Sequence, residues 1–136
     1  MEPKGIVSEI RVLVVDDNEF MRKMVAIILS KHGYQYELVN NGVEAIQRIR
    51  EKRFDAVVTD IEMPEMDGIT LTRELSRHFS DLPVLIMTSH SDDDYQETAI
   101  RAGAKQFLSK PFGVSDLITR LHRMLPDDKL AIEPEA

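Results

Sequence analysis

The chain has 136 residues, 17 Lys+Arg against 24 Asp+Glu for a formal net charge of -7, 43% hydrophobic residues and no cysteine. That size fits one compact domain. The composition excludes a wholly disordered chain, and the missing cysteine excludes disulfides, thiol nucleophiles and thiolate metal sites. A chain this acidic is poorly suited to hold nucleic acid or anionic lipid, and no apolar run approaches the ~20 residues of a membrane span.

Residues 1–9 carry no apolar core of signal-peptide type, so the expected location is the cytoplasm. Residues 10–15 (IRVLVV) form a nearly continuous apolar run, the pattern of a strand buried on both faces. Phe20, Met21, Met24, Val25 and Ile28 then recur at helical spacing, and Lys31, His32 and Gly33 close the helix. Residues 34–39 read as a second strand. Asn40-Asn41-Gly42 follows as a turn, then a helical stripe of Val43, Ala45, Ile46 and Ile49. Residues 54–59 (FDAVVT) give a third strand. After a loop with Pro64 and Asp67-Gly68, Leu71, Leu75 and Phe79 recur every fourth residue. Residues 83–87 (PVLIM) are a fourth strand and 92–102 a fourth helix with Tyr95, Ala99 and Ile100 inward. Residues 104–108 make a short fifth strand, and Val114, Leu117, Ile118, Leu121, Met124 and Leu125 form the cleanest helical stripe of the chain.

Five strand–helix units imply an α/β domain over residues 10–125: a doubly wound five-stranded parallel sheet, because each parallel crossover needs a helix. Residues 1–9 and 126–136 are expected to be flexible termini.

In such sheets the ligand site lies outside the carboxyl ends of the strands. Asp16-Asp17 follows the first strand, Asp60 the third, Thr88-Ser89 the fourth and Ser109-Lys110-Pro111 the fifth. Three carboxylates, a hydroxyl and an ammonium therefore meet on one rim. Crowded carboxylates repel, and a divalent cation relieves the repulsion. An all-oxygen site suits Mg²⁺. One carboxylate is then free to attack phosphorus, with Lys110 and the Thr88 hydroxyl near the transferring oxygens.

Taken singly these residues have ordinary readings: Asp17 or Asn18 as a helix cap, Lys110 as a solvated lysine, Asp67-Gly68 as a turn. The four histidines show no ligand pattern. A flavodoxin-type phosphate loop is excluded by Asp16-Asp17-Asn18-Glu19, which would repel a free phosphate. An aspartyl phosphohydrolase would carry Asp-x-Asp after the first strand, and here the acids are adjacent.

The pieces VVDDN (14–18), TDIEMPEMDG (59–68), MTS (87–89) and KPF (110–112) occur in this order at strand ends. With them the chain resembles the receiver domains of bacterial two-component response regulators, of chemotaxis-regulator type, over residues 10–125. The resemblance implies a flavodoxin-like sheet of order 2-1-3-4-5. It implies Asp60 as phospho-acceptor, Asp16, Asp17 and Asp60 with the Glu62 backbone carbonyl as Mg²⁺ ligands, and Thr88, Phe107 and Lys110 as switch and phosphate-contacting residues. It also implies a cis peptide before Pro111, and Glu62 and His90 as positions that tune dephosphorylation. Phe107 stands where some members have Tyr, so any coupling through it is by packing. The expected partners are a sensor histidine kinase or phosphotransfer protein and a downstream protein. Neither direct nucleic-acid binding nor a membrane is expected, and the expected state is a monomer or weak dimer. The expected function is a stand-alone phosphorylation switch that modifies only itself, and hence not an enzyme in the turnover sense. The alternative is the receiver of a longer regulator whose DNA-binding or enzymatic output domain lies elsewhere; residues after 125 carry no helix-turn-helix pattern.

Overall fold

A computed structural model describes residues 10–89 and 93–126. The expectations for the termini beyond these residues, and for His90, lie outside them. Strands β1 (Arg11–Val15), β2 (Gln35–Val39), β3 (Ala56–Asp60), β4 (Val84–Thr88) and β5 (Gln106–Ser109) alternate with helices. These are α1 (Glu19–Lys31), α2 (Gly42–Glu51), α3 (Gly68–His78), α4 (Asp93–Ala102) and α5 (Val114–Met124). All strand pairings are parallel, in the order β2-β1-β3-β4-β5. The expected flavodoxin-like doubly wound fold is present.

Strand alternation divides the core into two layers. Val12 and Val14 of β1, Ala56 and Val58 of β3, and Leu85 and Met87 of β4 pack with α1 (Val25, Ile28, Leu29) and α5 (Leu117, Ile118, Leu121). Leu13, Val15, Val57, Val84, Ile86 and Phe107 face the other way, against Ala45 and Ile49 of α2, Leu71 and Leu75 of α3, and Ala99 of α4. Central strands β3 and β4 are buried along their whole length, which is why they read as unbroken apolar runs. Edge strand β2 buries only Val39.

Four side chains from the apolar stripes face solvent instead, among them Val114 at the first position of α5. Ile100, expected inward, is 54% exposed, because α4 turns the line Tyr95–Ala99–Ala102 toward the sheet and Ile100 sits about 100° round from Ala99. Phe20 is 73% exposed in the first turn of α1, and Val43 is likewise exposed at the start of α2. Asn18 caps α1, its side chain accepting from the Met21 amide at 2.9 Å, and Asp67 caps α3 by accepting from the Thr70 amide at 2.7 Å. Among the described residues no helix is long and apolar enough to cross a membrane.

Candidate functional site

Register assembles the site. Val15 pairs with Thr59, so the next residues, Asp16 and Asp60, stand side by side at the strand ends. Asp60 pairs with Met87, and Thr88 with Ser109. Asp60 and Thr88 are the last residues of β3 and β4, one position further into the sheet than the sequence boundaries suggested. Both are nearly buried, Asp60 at 9% and Thr88 at 1% exposure, while Asp17 is exposed.

One carboxylate oxygen from each of Asp16, Asp17 and Asp60 lies within 4.8 Å of the others. The Lys110 ammonium approaches Asp60 Oδ1 at 3.3 Å and Asp16 Oδ2 at 3.7 Å. Its backbone amide donates to the Thr88 carbonyl at 2.7 Å, which ties the β5–α5 loop to the end of β4. The Lys110–Pro111 peptide is cis, as expected. Asp60 Oδ1 also accepts from the Ile61 amide at 2.9 Å.

Burial pushes the carboxyls of Asp16 and Asp60 above their ordinary range. At Asp16 the Asn18 amide opposes the rise and the Asp60 charge adds to it; at Asp60, Lys110 opposes it. Asp16 Oδ1 accepts from the Asn18 amide at 3.0 Å, but Oδ2 is buried with no hydrogen-bond partner. A buried carboxylate oxygen without a donor, beside two further carboxylates, fits a hard divalent cation. The donor set is therefore chemically suited to Mg²⁺. Glu62 is exposed in the loop two residues beyond Asp60.

Phe107 is only 7% exposed and packs in the layer of α2, α3 and α4. Arg120 Nη1 of α5 donates to its carbonyl at 2.9 Å.

Two supporting residues have roles that the sequence reading did not contain. Gly68, read only as backbone geometry, opens α3 directly against Asp60: a Cβ there would lie 2.1 Å from the Asp60 carbonyl oxygen. Its amide donates to the Ile61 carbonyl at 2.7 Å. Arg22 of α1 donates through Nη1 to the Asp16 carbonyl at 2.6 Å. The Asp67-Gly68 turn signal was visible in the sequence; the contact behind it, and that of Arg22, carried no sequence signal.

Comparison with known proteins agrees with this geometry. The family model described as "Response regulator receiver domain" matches residues 12–122. The response regulator MprA of Mycobacterium ulcerans is 38% identical over 121 residues, covering 89% of this chain and 52% of its own. The chain spans about half the length of the curated relatives it matches. Among solved structures, the Vibrio cholerae chemotaxis protein CheY4 superposes with a TM-score of 0.81 at 30% identity, covering 85% of this chain and 98% of that one. The response regulator TrrA of Thermotoga maritima, solved in complex with Mg²⁺-BeF, gives 0.79 at 28% identity, covering 85% and 99%. Response regulators receive phosphate from histidine kinases, and receiver domains generally bind Mg²⁺ at an acidic pocket. With the family model spanning most of the chain and the Asp16, Asp17, Asp60 and Lys110 rim in place, this chain belongs to the response regulator receiver domain family of two-component signalling.

Proposed function

We propose that this domain takes a phosphoryl group from the phosphohistidine of a sensor histidine kinase or phosphotransfer protein onto Asp60, and signals through the face of α4, β5 and α5. The observation that carries the reading is the Asp60 carboxylate at the end of β3, 3.3 Å from the Lys110 ammonium and clustered with Asp16 and Asp17. A carboxylate oxygen of Asp60 forms the new O–P bond as the donor's N–P bond breaks, and the leaving imidazole keeps the electron pair. Lys110 then faces the charge on the transferred group, and Thr88 stands at the end of the neighbouring strand. Asp16, Asp17 and the Glu62 carbonyl would hold Mg²⁺, which supplies charge neutralisation for the phosphoryl oxygens. The Mg²⁺-BeF complex of TrrA, a similar receiver, supports carrying this cofactor over.

Glu62 and His90 flank the acceptor and switch positions in sequence and tune how long the phosphoryl group persists. The domain modifies only itself, so it is not an enzyme acting on a free substrate. Its donor would place it in the cytoplasm. The near-complete coverage of CheY4 favours a stand-alone regulator, whereas the half-length match to MprA favours the receiver part of a longer one. Immunoblotting of source cells separates these, showing either a chain of 136 residues or a longer band.

The acceptor is tested by Asp60→Asn. Treated with a small phosphodonor in Mg²⁺, the parent gains one phosphoryl group by intact mass, and the variant, folded by circular dichroism, gains none. Equal incorporation in both would overturn the assignment.

A further inference from the structure

Asp16 is held at three points. Its amide donates to the Val39 carbonyl at 3.2 Å, its Oδ1 accepts from the Asn18 amide at 3.0 Å, and its carbonyl accepts from Arg22 at 2.6 Å. The third contact is the unusual one. Asp16 lies beyond the last residue of β1 and before the cap of α1, so neither element's regular hydrogen bonding takes up its carbonyl. Arg22 is half-buried on α1 and reaches back six residues to take it. The carbonyl belongs to the peptide that joins Asp16 to Asp17. Holding that peptide plane fixes the direction in which the exposed Asp17 carboxylate leaves the chain relative to the buried Asp16 carboxylate.

We propose that Arg22 is a positioning residue for the divalent-cation site: its guanidinium locks the Asp16–Asp17 peptide so that the two carboxylates present one shared set of oxygens. The proposal rests on the Mg²⁺-dependent acceptor reading above. A competing effect has the opposite sign. A guanidinium bonded to the Asp16 carbonyl repels a divalent cation held at the same residue, so if its charge alone mattered, removing it would tighten Mg²⁺ binding. Lysine keeps the charge and can offer one donor to the carbonyl. Glutamine loses the charge and is too short to restore the contact. Positioning therefore predicts weaker Mg²⁺ binding in both variants, most in glutamine. Charge alone predicts no change in lysine and tighter binding in glutamine.

The experiment titrates the parent, Arg22→Lys and Arg22→Gln with Mg²⁺ and follows backbone amide shifts. Melting temperatures without Mg²⁺ and phosphodonor labelling at saturating Mg²⁺ are measured alongside. The expected result is an Mg²⁺ Kd raised about tenfold in Arg22→Gln and less in Arg22→Lys, the size of loss typical when a group that orients metal ligands is removed. Labelling should recover toward the parent rate once Mg²⁺ saturates. A lowered melting temperature with unchanged Kd in both variants would make Arg22 a fold residue only and overturn the proposal, as would a tighter Kd in Arg22→Gln. A parent that shows no saturable Mg²⁺ response would instead overturn the acceptor reading on which the proposal stands.

Discussion

At Asp16 a carboxyl with no solvent exposure must ionise beside Asp60, and burial holds it above its ordinary value of 3.8. Asp60 shifts in the same direction for the same main cause. A carboxyl that keeps its proton to higher pH in the folded state than in the unfolded chain stabilises the fold at acid pH. That contribution is lost as pH rises through the folded value. Glu37 works in the opposite sense, since Lys52 and Arg48 lower it against the opposing pull of burial, so the whole-protein pH profile mixes both signs. Asp16→Asn isolates the site. Without Mg²⁺ the variant should gain in melting temperature relative to the parent as pH is raised from the ordinary carboxyl value of 3.8 toward neutrality, and saturating Mg²⁺ should narrow the gap by raising the parent. A gap that stays flat across that range would show that Asp16 ionises without cost. Phe107 is a second residue whose behaviour follows from its surroundings. Buried in the α2–α3–α4 layer, its truncation to alanine should cost about 3 kcal/mol in urea unfolding, as for other core aromatics. A cost under about 1 kcal/mol would put the ring at the surface instead.

Among the elements, the central strands were legible because burial on both faces leaves an unbroken apolar run, and β1, β3 and β4 are of that kind. Their ends were less legible. Asp60 and Thr88 are polar, so the sequence pattern stops at Thr59 and Met87, yet parallel pairing carries each strand one residue further and buries the polar side chain. That single step makes Asp60 and the Thr88 hydroxyl parts of strands rather than of loops. Helix faces were misread where a stripe runs past the sheet. Phe20 sits in the first turn of α1, beyond the strand ends, and Ile100 flanks the narrow contact that α4 makes through Ala99 and Ala102. The four motif pieces made the first shell of the site readable, because each falls at a strand end. Arg22 was not readable. An arginine on a helix looks like a solvated residue, and a contact with a carbonyl six residues earlier depends on the three-dimensional path of the β1–α1 loop. Gly68 was half readable: its turn was signalled, but the need to lack a Cβ, which would lie 2.1 Å from the Asp60 carbonyl oxygen, arises only once α3 docks on β3.

At the scale of the whole molecule, the two core layers offer different routes away from the site. Thr88 ends β4, and Phe107 pairs with Ile86 on the same strand while packing in the layer that also holds Ala99 and Tyr95 of α4. The layer under α1 and α5 meets β4 through Leu85 and Met87 instead. A disturbance that draws Thr88 toward a group on Asp60 is therefore felt first by β5 and α4, through Phe107, and by α5 through the Arg120 contact with the Phe107 carbonyl. Because Phe107 is already inward, the signal cannot be the burial of an exposed ring. The proposed signal would instead be a shift in how firmly α4 and β5 are held in this arrangement, which a ligand can produce only by favouring one state over the other. Beryllofluoride with Mg²⁺, a stand-in for the phosphoryl group, should therefore move amide resonances along α4 and β5 as well as around Asp16, Asp60 and Lys110. Resonances of β2, at the opposite edge of the sheet from β5, should stay in place. Thr88→Ala should keep the changes near Asp60 and lose those in α4. Shifts confined to the acidic pocket in the parent, with α4 and β5 silent, would break the proposed link between acceptor and output face.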